Sequence, residues 1–186
     1  MVAPMTTSKS LTIAVLALIA VVAGPVAAQL GLPPMIAFIV FFAGGALGLA
    51  ALAWGIIVKV RNTARGGALA AIVGAIPALL VLVPAALMAG KAGPGINDVT
   101  TSTEDPPAFA DPGLHGDYPG EFVPKVTEAY PAIKTLTLAL PPTEALALAL
   151  DVARGRDGWD ITSTSADGFE GYEKSRVFRF RDDFVI

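Results

Sequence analysis

Cysteine is absent from the 186 residues, and histidine occurs once, at position 115. Without thiols there is no disulfide framework and no thiolate metal site, so redox chemistry is silent on the compartment. Charge is scarce as well: 16% of residues are charged and 54% hydrophobic, against roughly 25% charged in a typical soluble domain. The sharpest absence is of carboxylates. Residues 1–91 contain no Asp or Glu and carry Lys9, Lys59, Arg61, Arg65 and Lys91, a charge of +5. Residues 92–186 hold all 16 acidic residues against 8 basic ones, a charge of −8, so the formal net charge of −3 describes neither part. Two modules therefore meet near residue 92.

What fills the first module is three apolar runs, expected as helices over residues 11–32, 35–59 and 67–90. About 20 residues rising roughly 1.5 Å each cross a hydrocarbon core of about 30 Å, and each run is long enough. None carries an ionisable residue away from its ends, where a charge at mid-bilayer would cost about 2.5–3.5 kcal/mol. The expected first domain, 1–91, is thus a three-span transmembrane α-helical domain. Buried helices of a soluble protein would need a far larger chain to cover them.

Lys and Arg in short loops favour the cytoplasmic side. Lys9 precedes the first span, "LPP" after it is uncharged, and "KVRNTAR" between the second and third holds three cations. The N-terminus and the basic loop are expected in the cytoplasm of a bacterial inner membrane and the acidic module on the periplasmic side, with Lys91 the one contrary charge. Lys9, the apolar stretch to Ala23, Gly24, Pro25 and the small Val26 and Ala28 also resemble a cleavable signal peptide. Cleavage after Ala28 would leave two spans and the same orientation. Gly44 and Gly48 form a G-x-x-x-G expected to pack helices within one chain. Pro77 and Pro84 are expected to bend the third span. A transporter would need polar groups inside the membrane, which the runs lack.

Residues 92–131 are neither periodic nor strongly apolar, and Pro94, Pro106, Pro107, Pro112, Pro119, Pro124 and Pro131 punctuate them. Proline removes donors and restricts its predecessor, which predicts an extended strap with turns. Ile96, Val99, Phe109, Leu114, Tyr118, Phe122, Val123 and Tyr130 recur along it as apolar anchors. The remainder, 132–186, is expected as a small α+β extramembrane domain: a strand over about 133–140, a helix over 143–154 with Leu146, Ala149, Leu150 and Ala153 on its buried face, and a strand over 159–165. "FEGYEKSRVFRFRDDFVI" is strand-like, with Phe178 and Phe180 on one face and Val177, Arg179 and Arg181 on the other.

The order "INDVTTSTEDPPAF", then Tyr130–Pro131, "GWDI" at 158–161, "FEG" at 169–171 and "FRDDFVI" at 180–186 resembles the family catalogued as domain of unknown function 1499. The resemblance covers about 92–186, and its most specific piece is N-D-x-x-T followed by D-P-P. In many bacterial members that domain follows a few membrane spans. Members generally continue past the paired aspartates with a further strand, an Arg- and Ser-rich motif and a terminal helix, which implies a domain incomplete at its C-terminal side here. The family supplies no reaction.

The residues themselves name no reaction either. The candidate polar positions are Asn97, Asp98, Thr101, Asp105, Asp182 and Asp183. Asp182 and Asp183 in a strand point to opposite faces, a poor acid/base pair, and pairing with Arg179 or Arg181 is the plainer role. Asn97, Asp98, Glu104 and Asp105 offer oxygens to a hard cation but lack the spacing of a calcium loop; turn-making is the expected use of such residues. His115, flanked by Asp111 and Asp117, reads as a surface imidazole. Ser102, Ser163, Ser165 and Ser175 stand in no nucleophile-elbow context, and no phosphate-cradling loop is present. No cofactor, no metal and, for an acidic module, no nucleic acid is expected. Two readings follow: a structural or interaction subunit of an envelope complex, whose partners are the lipid bilayer and other membrane or periplasmic proteins; or an enzyme or small-ligand binder, with the strap over a pocket lined by Asp98, Glu104 and Arg179.

Overall fold

The computed structural model describes residues 7–62, 65–89, 95–111 and 115–186. Lys91, Pro94, Pro112 and Leu114, singled out above, lie outside them. The chain divides into two compact units, residues 1–91 with 176–180, and residues 92–175 with 181–186.

Three helices build the first unit: α1 (Thr7–Gln29), α2 (Pro34–Asn62) and α3 (Arg65–Ala89). All three are long and apolar enough to cross a membrane, which suggests membrane association. The expected ends shift. The first helix begins four residues earlier and stops at Gln29, because Gly31 takes a positive φ of 96°, and Pro34 opens α2, where a missing N–H costs nothing. Pro77 and Pro84 sit inside α3, which continues through both.

Packing is inverted relative to a water-soluble bundle. Ala14, Ala17, Ala37, Ala51, Ala70 and Ala78 are buried between the helices, whereas Ile19, Ile39, Ile72 and Leu79 are more than half exposed. Small residues inside let backbones approach, and large apolar ones outside suit lipid, in which burying them gains little. Glycine carries the closest approaches. A Cβ on Gly44 would meet Val21 and Ala17 of α1, and one on Gly48 would meet Pro77, Gly74 and Ala78 of α3. The two ends of the G-x-x-x-G thus serve different neighbours within one chain.

In the second unit, residues 95–111 and 115–121 run without regular structure, as proline-rich composition demands. Helix α4 (Phe122–Ala129) departs from the expected strap. Pro124 falls in its first turn, where proline is tolerated, and Val126 supplies its buried contact. Residues 133–140 form no strand, a correction to the alternation read there: a strand needs a hydrogen-bonded neighbour, and among the described residues none pairs with this segment. Helix α5 (Pro142–Arg154) opens on Pro142, carries Glu144 in its first turn and Arg154 in its last, and ends as the Gly155 N–H bonds Asp151 O at 3.1 Å. Ala145, Leu146, Ala149, Leu150 and Ala153 form its more buried face, the i, i+3, i+4 stripe expected of an amphipathic helix.

The sheet has the order β1 (Trp159–Thr164), β2 (Phe169–Lys174), β3 (Arg181–Val185), with both pairings antiparallel. Ser165 makes the first turn: its Oγ accepts from the N–H of Asp167 at 3.3 Å and of Gly168 at 3.1 Å. A register shift between Ile161 and Ser163 marks a bulge in β1. The final segment is a hairpin rather than one strand, because residues 175–180 leave the ladder and Arg179 takes a positive φ of 62°. Helix α5 contacts β1.

Candidate functional site

Register divides the sheet into two chemically distinct faces. Trp159, Ile161, Phe169, Gly171 and Phe184 share one. The rings of Trp159 and Phe184 stand 4.2 Å apart across Gly171, where a Cβ would come within 2.6 Å of the Phe184 ring and 2.5 Å of Asp160 O. Only glycine leaves room for that stack. Asp160, Ser163, Glu170, Tyr172, Lys174, Arg181 and Asp183 share the other face, since Tyr172 pairs with Asp160 and Asp183, and Lys174 with Arg181.

On that polar face the charges alternate in sign. Lys174 Nζ lies 3.6 Å from Asp160 and donates to Tyr172 Oη at 3.2 Å. Arg181 Nε donates to Asp183 Oδ1 at 2.6 Å. The Tyr172 ring lies under both cations, with the Arg181 guanidinium 4.2 Å and Lys174 Nζ 4.6 Å from its centroid. Strap residues close on the same face. The Ala110 N–H donates to Glu170 Oε1, and His115 Nε2 stands 3.9 Å from Asp183 Oδ2, its ring stacked on Phe109 at 3.8 Å. At 3.9 Å the imidazole and carboxylate are an ion pair at most, not a hydrogen bond. Half-exposed pairs of this kind contribute about 0.2–1 kcal/mol each. Chemically the arrangement holds the strap to the sheet; Ser163 Oγ is engaged with Glu170 at 3.3 Å rather than with His115.

The family-motif residues gather elsewhere in this unit. Thr100 is buried, and its Oγ1 bonds both the N–H and the O of Ser102, at 3.2 and 3.1 Å, while Ser102 Oγ accepts from the Asp105 N–H at 3.3 Å. Thr101 offers its carbonyl to Thr135 Oγ1 at 3.0 Å. Thr100 and Thr101, together with Thr103, α4 residues Val126 and Thr127, and Tyr130, Pro131, Ile133, Lys134 and Thr135, border a half-open hollow of ≈ 250 Å³. Asn97, Asp98, Glu104 and Asp105 are exposed, and they do not line that hollow, nor does Arg179. Asp98 acts at a distance: burial, and secondarily the Asp98 charge, push the Tyr118 hydroxyl above its ordinary pKa. That hydroxyl is closed off from solvent and without a hydrogen-bond partner among the described residues.

Asp182 and Asp183 do lie on opposite faces. Asp182 is exposed opposite Glu173 in the ladder, and Asp183 is tied to Arg181 and faces His115. The proximity of His115 to Asp183 was missed in the sequence, where Asp111 and Asp117 were its visible neighbours. Among the described residues no group of three His, Asp or Glu side chains is arranged to hold a metal ion.

Fold and site define a class: helices fit to cross a membrane, followed by a small domain with a three-stranded antiparallel sheet and a helix, carrying a polar face under a strap. Residues 98–186 match the family described as protein of unknown function DUF1499. No curated protein and no solved structure matches the chain.

Proposed function

We propose that this is an integral membrane protein that presents its acidic α+β domain on the non-cytoplasmic face, as a structural or interaction subunit of a membrane or envelope complex. The observation carrying the interaction role is the segment 133–140. Ile133, Leu136, Leu138 and Leu140 are all exposed, Leu136 by 77%, and no strand pairs with them among the described residues. An extended apolar segment that no neighbouring strand pairs with is a template for a partner's strand or helix. Leu148 and Val152 of α5, both more than half exposed, enlarge the apolar surface of this unit. Orientation rests on charge: Lys59 and Arg61 occupy the last turn of α2, Arg65 follows, and no acid precedes Asp98.

A small-ligand role is favoured by one observation, the ≈ 250 Å³ hollow beside Thr101. It falls just below the usual range for ligand sites, about 300–1,000 Å³. Gentle detergent extraction of the full chain and mass identification of what travels with it separates the readings. A co-purifying membrane or periplasmic protein, lost on Leu136→Asp, supports the interaction role; recovery of the chain alone with a bound small molecule overturns it. A reporter fused after Ile186 is expected to be active only outside the cytoplasm and one inserted at Asn62 only inside it. The reverse pattern would sink the orientation.

A further inference from the structure

Residues 176–180, "RVFRF", fall in the same compact unit as the three helices. Phe178 stands edge-on to Phe38 at 5.2 Å and to Phe41 at 5.3 Å, and Phe180 edge-on to Phe38 at 5.6 Å. Gln29, the last residue of α1, donates from Nε2 to the carbonyls of Arg176 at 2.7 Å and Val177 at 3.1 Å. The segment therefore lies where α1 ends and α2 begins, at the opposite end of α2 from Lys59 and Arg61.

Helix geometry gives the depth. The 29 residues of α2 span about 43 Å, so about 6–7 Å emerges at each end of a hydrocarbon core of about 30 Å if the helix is centred. Phe38, Phe41 and Phe42 lie about 6–12 Å along the axis from Pro34, at the boundary between hydrocarbon and headgroups. Non-helical backbone is costly at that level unless its polar groups are satisfied, and Gln29 satisfies two carbonyls there. Arg176, Val177 and Arg179 are exposed around the ring cluster, Val177 by 54%. Among the described residues no carboxylate pairs with Arg176 or Arg179, whereas Arg181 beside them is tied to Asp183. Unpaired guanidinium groups interleaved with apolar side chains match the lipid interface, where the stems lie among acyl chains and the heads take phosphate bidentately. The acidic module as a whole would be repelled from such a surface, so the attraction is confined to this loop.

We infer that residues 176–180 form an interfacial anchor for anionic phospholipid: Val177 and the ring cluster at the acyl–headgroup boundary, Arg176 and Arg179 on headgroup phosphates. The chain has no cysteine, so Val177→Cys in the full-length protein can be labelled uniquely with an environment-sensitive fluorophore and reconstituted in vesicles of phosphatidylcholine with or without phosphatidylglycerol. With phosphatidylglycerol, quenching by aqueous iodide should be several-fold weaker than at Ala166→Cys on the exposed first hairpin turn, and a shallow lipid-borne quencher should act strongly. Arg176→Gln with Arg179→Gln should remove the dependence on phosphatidylglycerol. Iodide access equal to that at position 166 overturns the anchor. Shielding that is the same in both vesicle types and indifferent to the double substitution overturns the headgroup assignment, leaving the loop held by protein contacts alone.

Discussion

Replacing Gly48 by valine tests the helix packing where it is tightest. A Cβ at this position would stand 2.7 Å from Pro77 Cγ, 2.8 Å from Gly74 O and 2.9 Å from Ala78 N, where ordinary contact begins near 3.4 Å. Two of these atoms are backbone and the third is in a proline ring, so none can rotate away. The helices must part by several tenths of an ångström along their whole seam. Valine recovers a few tenths of a kcal/mol of helix propensity over glycine, while overpacking costs about 1–3 kcal/mol. A net loss of about 2 kcal/mol lowers the midpoint of thermal unfolding by about 4–8 °C for a chain of this size. Gly74→Val meets the reciprocal contacts, Gly48 O and Leu52 N at 2.8 Å. Once the seam has opened for one substitution the second costs little, so the double variant should lose less than the sum. The assay is thermal unfolding of the full chain in mild detergent, read by retention of the monodisperse peak. Gly116→Ala, with nothing within 4 Å of the added carbon, is the neutral control. A Gly48→Val protein as stable as its parent, or strict additivity with Gly74→Val, would refute the close approach of α2 and α3.

Other consequences can be measured in the same preparation. Gly171→Ala should destabilise the sheet by about 1–3 kcal/mol through the Phe184 ring and Asp160 carbonyl, visible as lost near-ultraviolet dichroism from Trp159; an unchanged spectrum and stability would contradict the stacked face. Tyr118, whose hydroxyl is held above the ordinary tyrosine range by burial and then by Asp98, should give a phase later than that of free tyrosine in an absorbance titration. Its neutral form is favoured in the folded state, so its contribution is complete below pH about 10 and is lost as pH rises through the folded value. Tyr118→Phe should abolish the late phase, and its persistence in that variant would reassign it. His115→Ala should change global stability by no more than about 1 kcal/mol, as expected of a half-exposed pair, yet speed proteolysis within 105–118; an unaltered cleavage rate would show that His115 does not hold the strap.

The helices were legible because helices long and apolar enough to cross a membrane carry a compositional signal stronger than any local one. An apolar run of twenty or more residues with no acid nearby leaves little choice of structure or environment. Their ends were less legible. Thr7 to Ser10 are polar yet helical, and Leu30 to Leu32 are apolar yet outside the helix, because a turn at Gly31 rather than polarity ends it. The amphipathic period of α5 was equally plain, with Leu146, Ala149, Leu150 and Ala153 on the buried side.

Alternation was a weaker guide, and segment 133–140 explains why. Period two states that a chain is extended and two-faced; it does not supply the hydrogen-bonding neighbour that makes a strand. At 175–180 the same pattern continues through Arg179, whose left-handed backbone is foreshadowed by no glycine or asparagine. Side-chain pairing follows the same logic at the candidate site. Arg181 and Asp183 are two positions apart on one face of a strand, so their contact could be read directly. His115 reaches Asp183 only through the path of the strap, which is set by Ala110 on Glu170 and Phe109 on the imidazole ring. Local spacing encodes a contact when one regular element carries both partners; here the polar face is assembled from a strap with no period, and its composition shows only that the strap is stiff.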